Sequence, residues 1–308
     1  MSNSAETPGS QPPSHGDHRG ERSAEAPPSR RIRPVDVALV AVIPAMLVGV
    51  FLLPMELRRD LALLYTEPSV VTMYASHFVH LDLPHLTANL LVYLLVVPFS
   101  LAVSVWSGRR RRFYAVAAVV FVAFPLALSG LNVLLPRPRI GMGFSGMNLA
   151  FVGYLPHVLA DRFEAERPEW ERSRAALLAL LFFVGTAVVT VRITASIYHT
   201  AQPGLHWLVV AGAGSLAAAV ALTRPLVSCL RSQGVAGATI PPLAALGSLL
   251  FVLLMTVAFP DVSPADGSVV NLFLHFLGFS FGYIVPYAAF QVLGLSLGSR
   301  SEPATARK

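Results

Sequence analysis

Long apolar runs separated by short polar segments make up the chain from residue 35 onwards. A helix needs about 20 mostly apolar residues to cross the hydrocarbon core of a bilayer. The pattern therefore predicts an all-α, polytopic membrane protein with about eight membrane-spanning segments. The predicted spans cover residues 35–54, 85–106, 113–135, 145–160, 176–194, 203–222, 241–259 and 268–296.

Polar segments define the rest of the organisation. Residues 1–34 are rich in Pro, Ser and Gly and have little apolar surface to bury, so we expect a disordered cytoplasmic N-terminal tail. Residues 35–297 form the predicted transmembrane domain, and residues 298–308 form a cytoplasmic C-terminal tail. We expect a structured external segment from Met55 to Pro84 and a cytoplasmic loop or interfacial turn from Asp161 to Arg174.

The composition agrees with this class of protein, because 54% of the residues are hydrophobic and only 13% are charged. Soluble domains contain about 25% charged residues. The net charge of +6 would favour nucleic acid as the partner of a soluble protein, but here the arginines lie mostly near the ends of predicted spans. Basic residues mark the cytoplasmic side, and the run Arg109–Arg112 assigns both termini to the cytoplasm. We therefore predict a multi-pass protein of the cell membrane that contacts the lipid bilayer and no nucleic acid.

The single cysteine, Cys229, cannot form an internal disulfide, and no Cys and His residues lie at zinc-binding spacing. We therefore expect neither a metal nor a cofactor. Any chemistry would then come from the side chains and backbone of the chain itself.

Polar side chains inside a membrane span are costly, so each one is a candidate functional residue. His85 and Asn89 are four positions apart near the start of the second span, so they lie on one face of a helix. They can donate hydrogen bonds into a site of low dielectric constant, or they can tie neighbouring helices together. The sequence leaves both roles open.

A serine lies between glycines at the start of the fourth span, in the sequence Gly143-Phe-Ser145-Gly146. Glycines let the backbone approach closely, and a helix N-terminus leaves N–H groups that can bind a developing anion. A serine at this position is either a nucleophile or a helix N-cap.

A histidine and two glycines share one face of the last span. Gly278 and Gly282 form a small-xxx-small pattern on which another helix can pack closely, and His275 lies on the same face. The imidazole can either bond a neighbouring carbonyl or meet a side chain that projects from the partner helix.

Together the three motifs resemble the signature of the rhomboid family of intramembrane serine proteases. That signature is a His-containing loop leading into HxxxN on the second helix, GxSG at the head of the fourth helix, and HxxGxxxG on a later helix. The matching segments here, in the same order, are His80–Asn89, Gly143–Gly146 and His275–Gly282. In the predicted topology, all three motif-bearing spans start on the outer side, so the motifs can converge at a similar depth.

The resemblance implies a six-helix rhomboid-like core with two additional helices, and serine endopeptidase activity towards membrane-spanning segments of other proteins. By position, Ser145 would be the nucleophile and His275 its general base, in a dyad without an acidic third member. His85, Asn89 and Gly143 would bind the oxyanion and the substrate, together with the backbone N–H of Ser145. The chemistry is coherent, because histidine can take and return a proton near neutral pH.

Some features depart from the family pattern. Val70–Met73 stands where the external loop often carries a Trp-Arg pair, and Leu149 stands where many members have an aromatic residue beside the catalytic imidazole. By helix count in a six-helix core, the base would be His206. We favour His275, because the residues three and seven positions after His206 are not glycines.

Two other functions remain open. A catalytically inactive rhomboid-like protein would bind membrane helices without cutting them, although it would not need a nearly complete set of catalytic groups. A small-solute transporter would use His85, Asn89 and His275 as a polar relay through the membrane.

Overall fold

The computed structural model describes residues 31–134, 138–198, 212–223, 242–258 and 271–295, together with the single positions 209, 227 and 231. Almost all of the predicted N-terminal tail, the predicted C-terminal tail and the alternative base His206 lie outside the described residues. The helices are α1 (Pro34–Phe51), α2 (Met55–Leu61), α3 (Val70–Ala75), α4 (Leu83–Trp106), α5 (Arg110–Val122), α6 (Phe124–Val133), α7 (Ser145–Glu166), α8 (Arg174–Tyr198), α9 (Gly212–Thr223), α10 (Pro242–Val257) and α11 (Leu272–Tyr287).

Four helical stretches of the described chain are long and apolar enough to cross a membrane. They are Pro34–Phe51, Leu83–Trp106, Arg174–Val191 and Leu272–Val292. Helices α5 and α6 together meet the same criterion but are bent by 41°, so they form a fifth span if they act as one unit. The prediction of an all-α protein with several membrane-spanning helices is confirmed at this level.

Helix α7 lies at the centre of the structure, because every residue from Gly146 to Asp161 is buried. The sequence predicted that this helix ends at residue 160 and that a loop or interfacial turn begins at Asp161. That boundary is wrong, since α7 continues to Glu166 and a short 3-10 segment, Pro168–Ser173, follows.

A cluster of charged side chains explains the longer helix. Asp161 is buried and lies 3.0 Å from Nη1 of Arg112 on α5 and 2.8 Å from Nη1 of Arg174 on α8. Glu164, one turn further along α7, pairs with Arg174 at 2.9 Å and with Arg109 at 3.3 Å. Because their charges are paired within the protein, these carboxylates are compatible with a buried helix end.

The interface between α7 and α11 brings two backbones into direct contact. A Cβ atom added at Gly278 would overlap the carbonyl oxygen of Gly146, and one added at Gly282 would overlap the carbonyl oxygen of Ala150. Gly153 on α7 makes the reciprocal approach to the carbonyl of Phe279. The small-xxx-small face of the last span therefore packs closely on another helix, as its spacing predicted, and that helix is the one that Ser145 begins.

The segment before α4 is structured, as predicted, and it contains a feature that the sequence did not indicate. Strands β1 (Leu63–Leu64) and β2 (Ile140–Gly141) form a short antiparallel pair, with Leu63 opposite Gly141. Arg58 is buried and donates hydrogen bonds to the carbonyl oxygens of Leu53 and His80 at 3.1 and 2.8 Å. These contacts fix this segment against the turn that leads into α7.

Candidate active site

Ser145 is the first residue of α7, and the turn before it is tightly held. Gly143 has a φ of 105°, in the left-handed region that favours glycine, and its N–H donates to the carbonyl of Ser76 at 2.9 Å. Phe144 is the N-cap residue, without a side-chain capping bond, so Ser145 itself is not the cap. The first turn of a helix leaves backbone N–H groups without intrahelical acceptors, and Ser145 lies in that turn.

His85 and Asn89 reach the site from α4. Asp82 caps this helix by accepting the N–H of His85 at 2.8 Å, which fixes the first turn. The His85 ring packs directly on Gly143, because a Cβ at Gly143 would lie 2.5 Å from Cε1 and 2.6 Å from Nε2 of His85. Asn89 is buried one turn later, with its Nδ2 donating to the carbonyl of His85 at 3.0 Å.

His275 reaches the site from the first turn of α11. Asn271 caps this helix by accepting the N–H of Leu274 at 3.0 Å. Nδ1 of His275 lies 2.7 Å from the carbonyl oxygen of Ala258, the residue that follows α10. A carbonyl can only accept a hydrogen bond, so this contact requires a proton on Nδ1 and makes Nε2 the basic nitrogen of the neutral ring.

One cavity of about 760 Å³ connects these groups. Ser145, His85, Asn89 and His275 all line it, although they come from three helices far apart in the sequence. Gly143 contributes through its contact with His85. The structure thus brings together all five residues that the sequence selected.

Two other histidines pack beneath the turn that precedes α7. Burial lowers the pKa of His77 to about 4 and that of His80, which also lies near His85, to about 4. Both rings are therefore neutral near pH 7. Nε2 of His80 accepts a long hydrogen bond of 3.5 Å from the N–H of Phe144, and Nε2 of His77 lies 3.0 Å from the carbonyl of Pro125. These contacts support the site without entering the cavity.

The remaining histidines of the chain do not reach this cavity within the described ranges. His157 is buried in α7, with Nε2 2.9 Å from the carbonyl of Tyr283, so it is a packing residue. His199 and His206 lie outside the described residues. In the part of the chain that the structure describes, no three His, Cys, Asp or Glu side chains are grouped to hold a metal ion.

Several residues around the cavity were not selected from the sequence. Asn148 is buried one turn after Ser145 and bonds Asn89. The hydroxyl of Tyr65 accepts hydrogen bonds from Asn132 at 3.1 Å and from Asn271 at 3.0 Å, and so joins the β1 segment to α6 and α11. Asn148 could have been noticed as an amide inside a predicted span, three positions after the serine. The other contacts depend on long-range packing.

Comparison of the chain with protein-family models, curated proteins and solved structures gives no match.

Proposed function

We propose that this chain is a rhomboid-like intramembrane serine endopeptidase that cleaves membrane-spanning segments of other proteins with a Ser145–His275 dyad. The observation that carries the proposal is the shared cavity. A serine at a helix N-terminus, an imidazole of defined tautomer and two side chains with N–H donors line one cavity. These are the groups that acyl transfer needs.

In the proposed reaction, Oγ of Ser145 bonds to the carbonyl carbon of a peptide bond while its proton passes to Nε2 of His275. The tetrahedral intermediate then breaks its C–N bond, and the imidazolium gives the proton to the leaving amine. Water attacks the resulting ester in the same way, with His275 as base and then as acid, and releases the carboxylic acid and the free serine.

The carbonyl of Ala258 takes part of the role that a buried carboxylate has in a three-residue serine protease site. By accepting Nδ1–H it selects the tautomer in which Nε2 is basic, and it orients the ring. Ala258 directly follows α10, which in this proposal is one of the two helices added to the six-helix core. This contact offsets the absence of an aromatic residue at Leu149, since the imidazole is held by a hydrogen bond.

Negative charge on the intermediate would be stabilised by N–H donors around the head of α7. The candidates are the backbone N–H of Ser145 and the side chains of His85 and Asn89, with Gly143 leaving room for the His85 ring. These donors are neutral, so they need no buried counter-charge. Loss of one such donor typically lowers the rate by on the order of 10²–10³.

The same proposal includes the eight-span topology, with a six-helix rhomboid-like core and an inserted pair at 203–222 and 241–259. An inserted pair of spans preserves the orientation of the helix that follows it. His275 then enters from the same side as Ser145, and the second inserted helix supplies the Ala258 carbonyl.

The test is expression of the wild type, Ser145→Ala, His275→Ala and His206→Ala with a single-span model substrate. We expect cleavage by the wild type and by His206→Ala, and no cleavage by Ser145→Ala or His275→Ala. A serine-reactive fluorophosphonate should label the wild type and leave Ser145→Ala unlabelled. Normal cleavage by Ser145→Ala and His275→Ala would disprove the protease proposal, and loss of activity in His206→Ala alone would reassign the base.

The two competing functions give different results in the same experiments. An inactive helix-binding protein would retain the substrate without cleaving it, and its Ser145 would not react with the fluorophosphonate. A transporter would show gradient-dependent uptake into vesicles that does not change in Ser145→Ala.

A further inference from the structure

A second asparagine lies next to the proposed oxyanion-binding asparagine. Nδ2 of Asn148 donates to the backbone carbonyl of Asn89 at 2.9 Å and to its side-chain Oδ1 at 3.2 Å. Asn148 is 1% exposed and Asn89 is 4% exposed, so water does not compete freely for these bonds. The contact links α7, one turn after Ser145, to α4, one turn after His85.

Both side-chain hydrogen bonds of Asn89 require the same orientation of its carboxamide. Its Nδ2 donates to the carbonyl of His85, and its Oδ1 accepts from Asn148. If the Asn89 amide were rotated by 180°, its NH2 group would face the NH2 group of Asn148, and its oxygen would face the carbonyl oxygen of His85. Both bonds would be lost, and buried polar groups would face groups with which they cannot bond.

This orientation has a consequence for catalysis. The Asn89 amide has two N–H groups, and one of them bonds the carbonyl of His85. The Asn89 side chain also lines the cavity that contains Ser145, so the second N–H is the candidate donor to an oxyanion. If the amide were rotated, its oxygen would replace that donor and would repel a developing oxyanion. The electrostatic character of the site therefore depends on which way the Asn89 amide is held.

We propose that Asn148 is a positioning residue that holds the Asn89 carboxamide with its N–H directed towards the developing oxyanion. It acts through Asn89 and does not contact the reacting atoms. The inference rests on the proposed function and adds to it a residue of this chain. A leucine or an aspartate of similar size at position 148 would lack the N–H and would release this constraint.

The experiment is a double-mutant cycle with Asn89→Ala, Asn148→Leu and the double variant in the full chain. The probe is a fluorophosphonate, whose labelling end point counts competent molecules and whose rate constant reports the reactivity of Ser145. Turnover of the single-span substrate provides kcat and KM separately. Ser100→Ala is the matched control, because Ser100 is buried on α4 and its hydroxyl has no hydrogen-bond partner among the described residues.

We expect Asn148→Leu to lower the labelling rate constant and kcat by on the order of tenfold with little change in KM, because misplacing a catalytic group affects the chemical step. In the Asn89→Ala background the same substitution should have no further effect. Asn148→Asp should resemble Asn148→Leu, since its carboxylate would draw the Asn89 N–H away from the cavity. Ser100→Ala should behave as the wild type.

Equal losses in the wild-type and Asn89→Ala backgrounds would overturn the inference, as would an unchanged rate constant in Asn148→Leu. If neither Asn148→Leu nor Asn148→Asp gives a labelling end point, Asn148 has a structural role and the inference is also overturned. Failure of the proposed function looks different, because then the wild type itself is not labelled at Ser145.

Discussion

At the scale of single residues, the site depends on Gly143, both for its backbone conformation and for the space left by the absence of a side chain. The φ of 105° at Gly143 is costly for any other residue, and the space that a Cβ would occupy is filled by the His85 ring. The sequence identified Gly143 by its place in a motif. The contact with His85, 58 positions earlier in the chain, became visible only in the structure.

Gly143→Ala should therefore reduce activity sharply. The added methyl group would displace His85, and the strained backbone would move the turn before Ser145, so we expect the fluorophosphonate labelling rate to fall by about 100-fold. Gly49→Ala in α1 is the matched control, since no atom lies within 4 Å of a Cβ at that position. A labelling rate for Gly143→Ala equal to that of the control would show that this turn is not part of the reactive site.

At the scale of helices, the distance between Ser145 and His275 is set by the packing of α7 on α11. Gly278 and Gly282 allow the two backbones to touch, which fixes both the separation of the helices and their register. The spacing of the glycines predicted such a face. It did not predict which helix would pack on it, because any small-residue stripe could have been the partner.

Gly282→Ala should separate α7 and α11. Its Cβ would overlap a backbone carbonyl that cannot rotate away, so we expect a loss of about 1–3 kcal/mol in the free energy of unfolding. Unfolding in detergent micelles with increasing denaturant measures this loss, and Gly49→Ala again serves as the control. Wild-type stability together with wild-type labelling would contradict the observed packing.

The charged end of α7 allows a second test at this scale. Asp161→Asn removes the buried carboxylate that pairs with Arg112 and Arg174, so that Arg174 keeps only its pair with Glu164. Breaking a buried ion pair in this way costs about 3–5 kcal/mol. Glu166→Gln is the matched control, because Glu166 forms a partly exposed pair with Arg162 on the same helix and should cost less than about 0.5 kcal/mol. Thermal unfolding compares the two variants, and equal stabilities would refute the role given to the cluster.

At the scale of the whole molecule, the arginine pattern predicts which end of the helix bundle faces the cytoplasm. The cluster around Arg109 and Asp161 lies at the end assigned to the cytoplasm, and the turn before Ser145 lies at the opposite end of α7. The proposed reaction would then take place near the outer surface.

This orientation is tested by labelling single cysteines with a membrane-impermeant maleimide in intact cells. In a Cys229→Ser background, Glu67→Cys should react, because Glu67 is exposed between α2 and α3. Arg111→Cys is also exposed but should react only after the cells are permeabilised. The reverse pattern would invert the topology and move the site to the cytoplasmic side.

The sequence by itself determined the class of protein and the candidate side chains. Apolar length alone predicts a membrane helix, and the rarity of polar groups in lipid singled out His85, Asn89, Ser145 and His275. The sequence did not predict the end of α7, because a run of charged residues is typical of an exposed loop. In the structure Asp161 is paired with arginines from other helices, so the helix continues.

Only the tertiary structure decided how those side chains are held. The carbonyl of Ala258 sets the tautomer of His275, Asn148 fixes the amide of Asn89, and Tyr65 joins three separate segments. Each of these contacts joins residues of different elements, in most cases far apart in the sequence. Hydropathy is a property of neighbouring residues, whereas hydrogen bonds across helices depend on how the whole bundle packs.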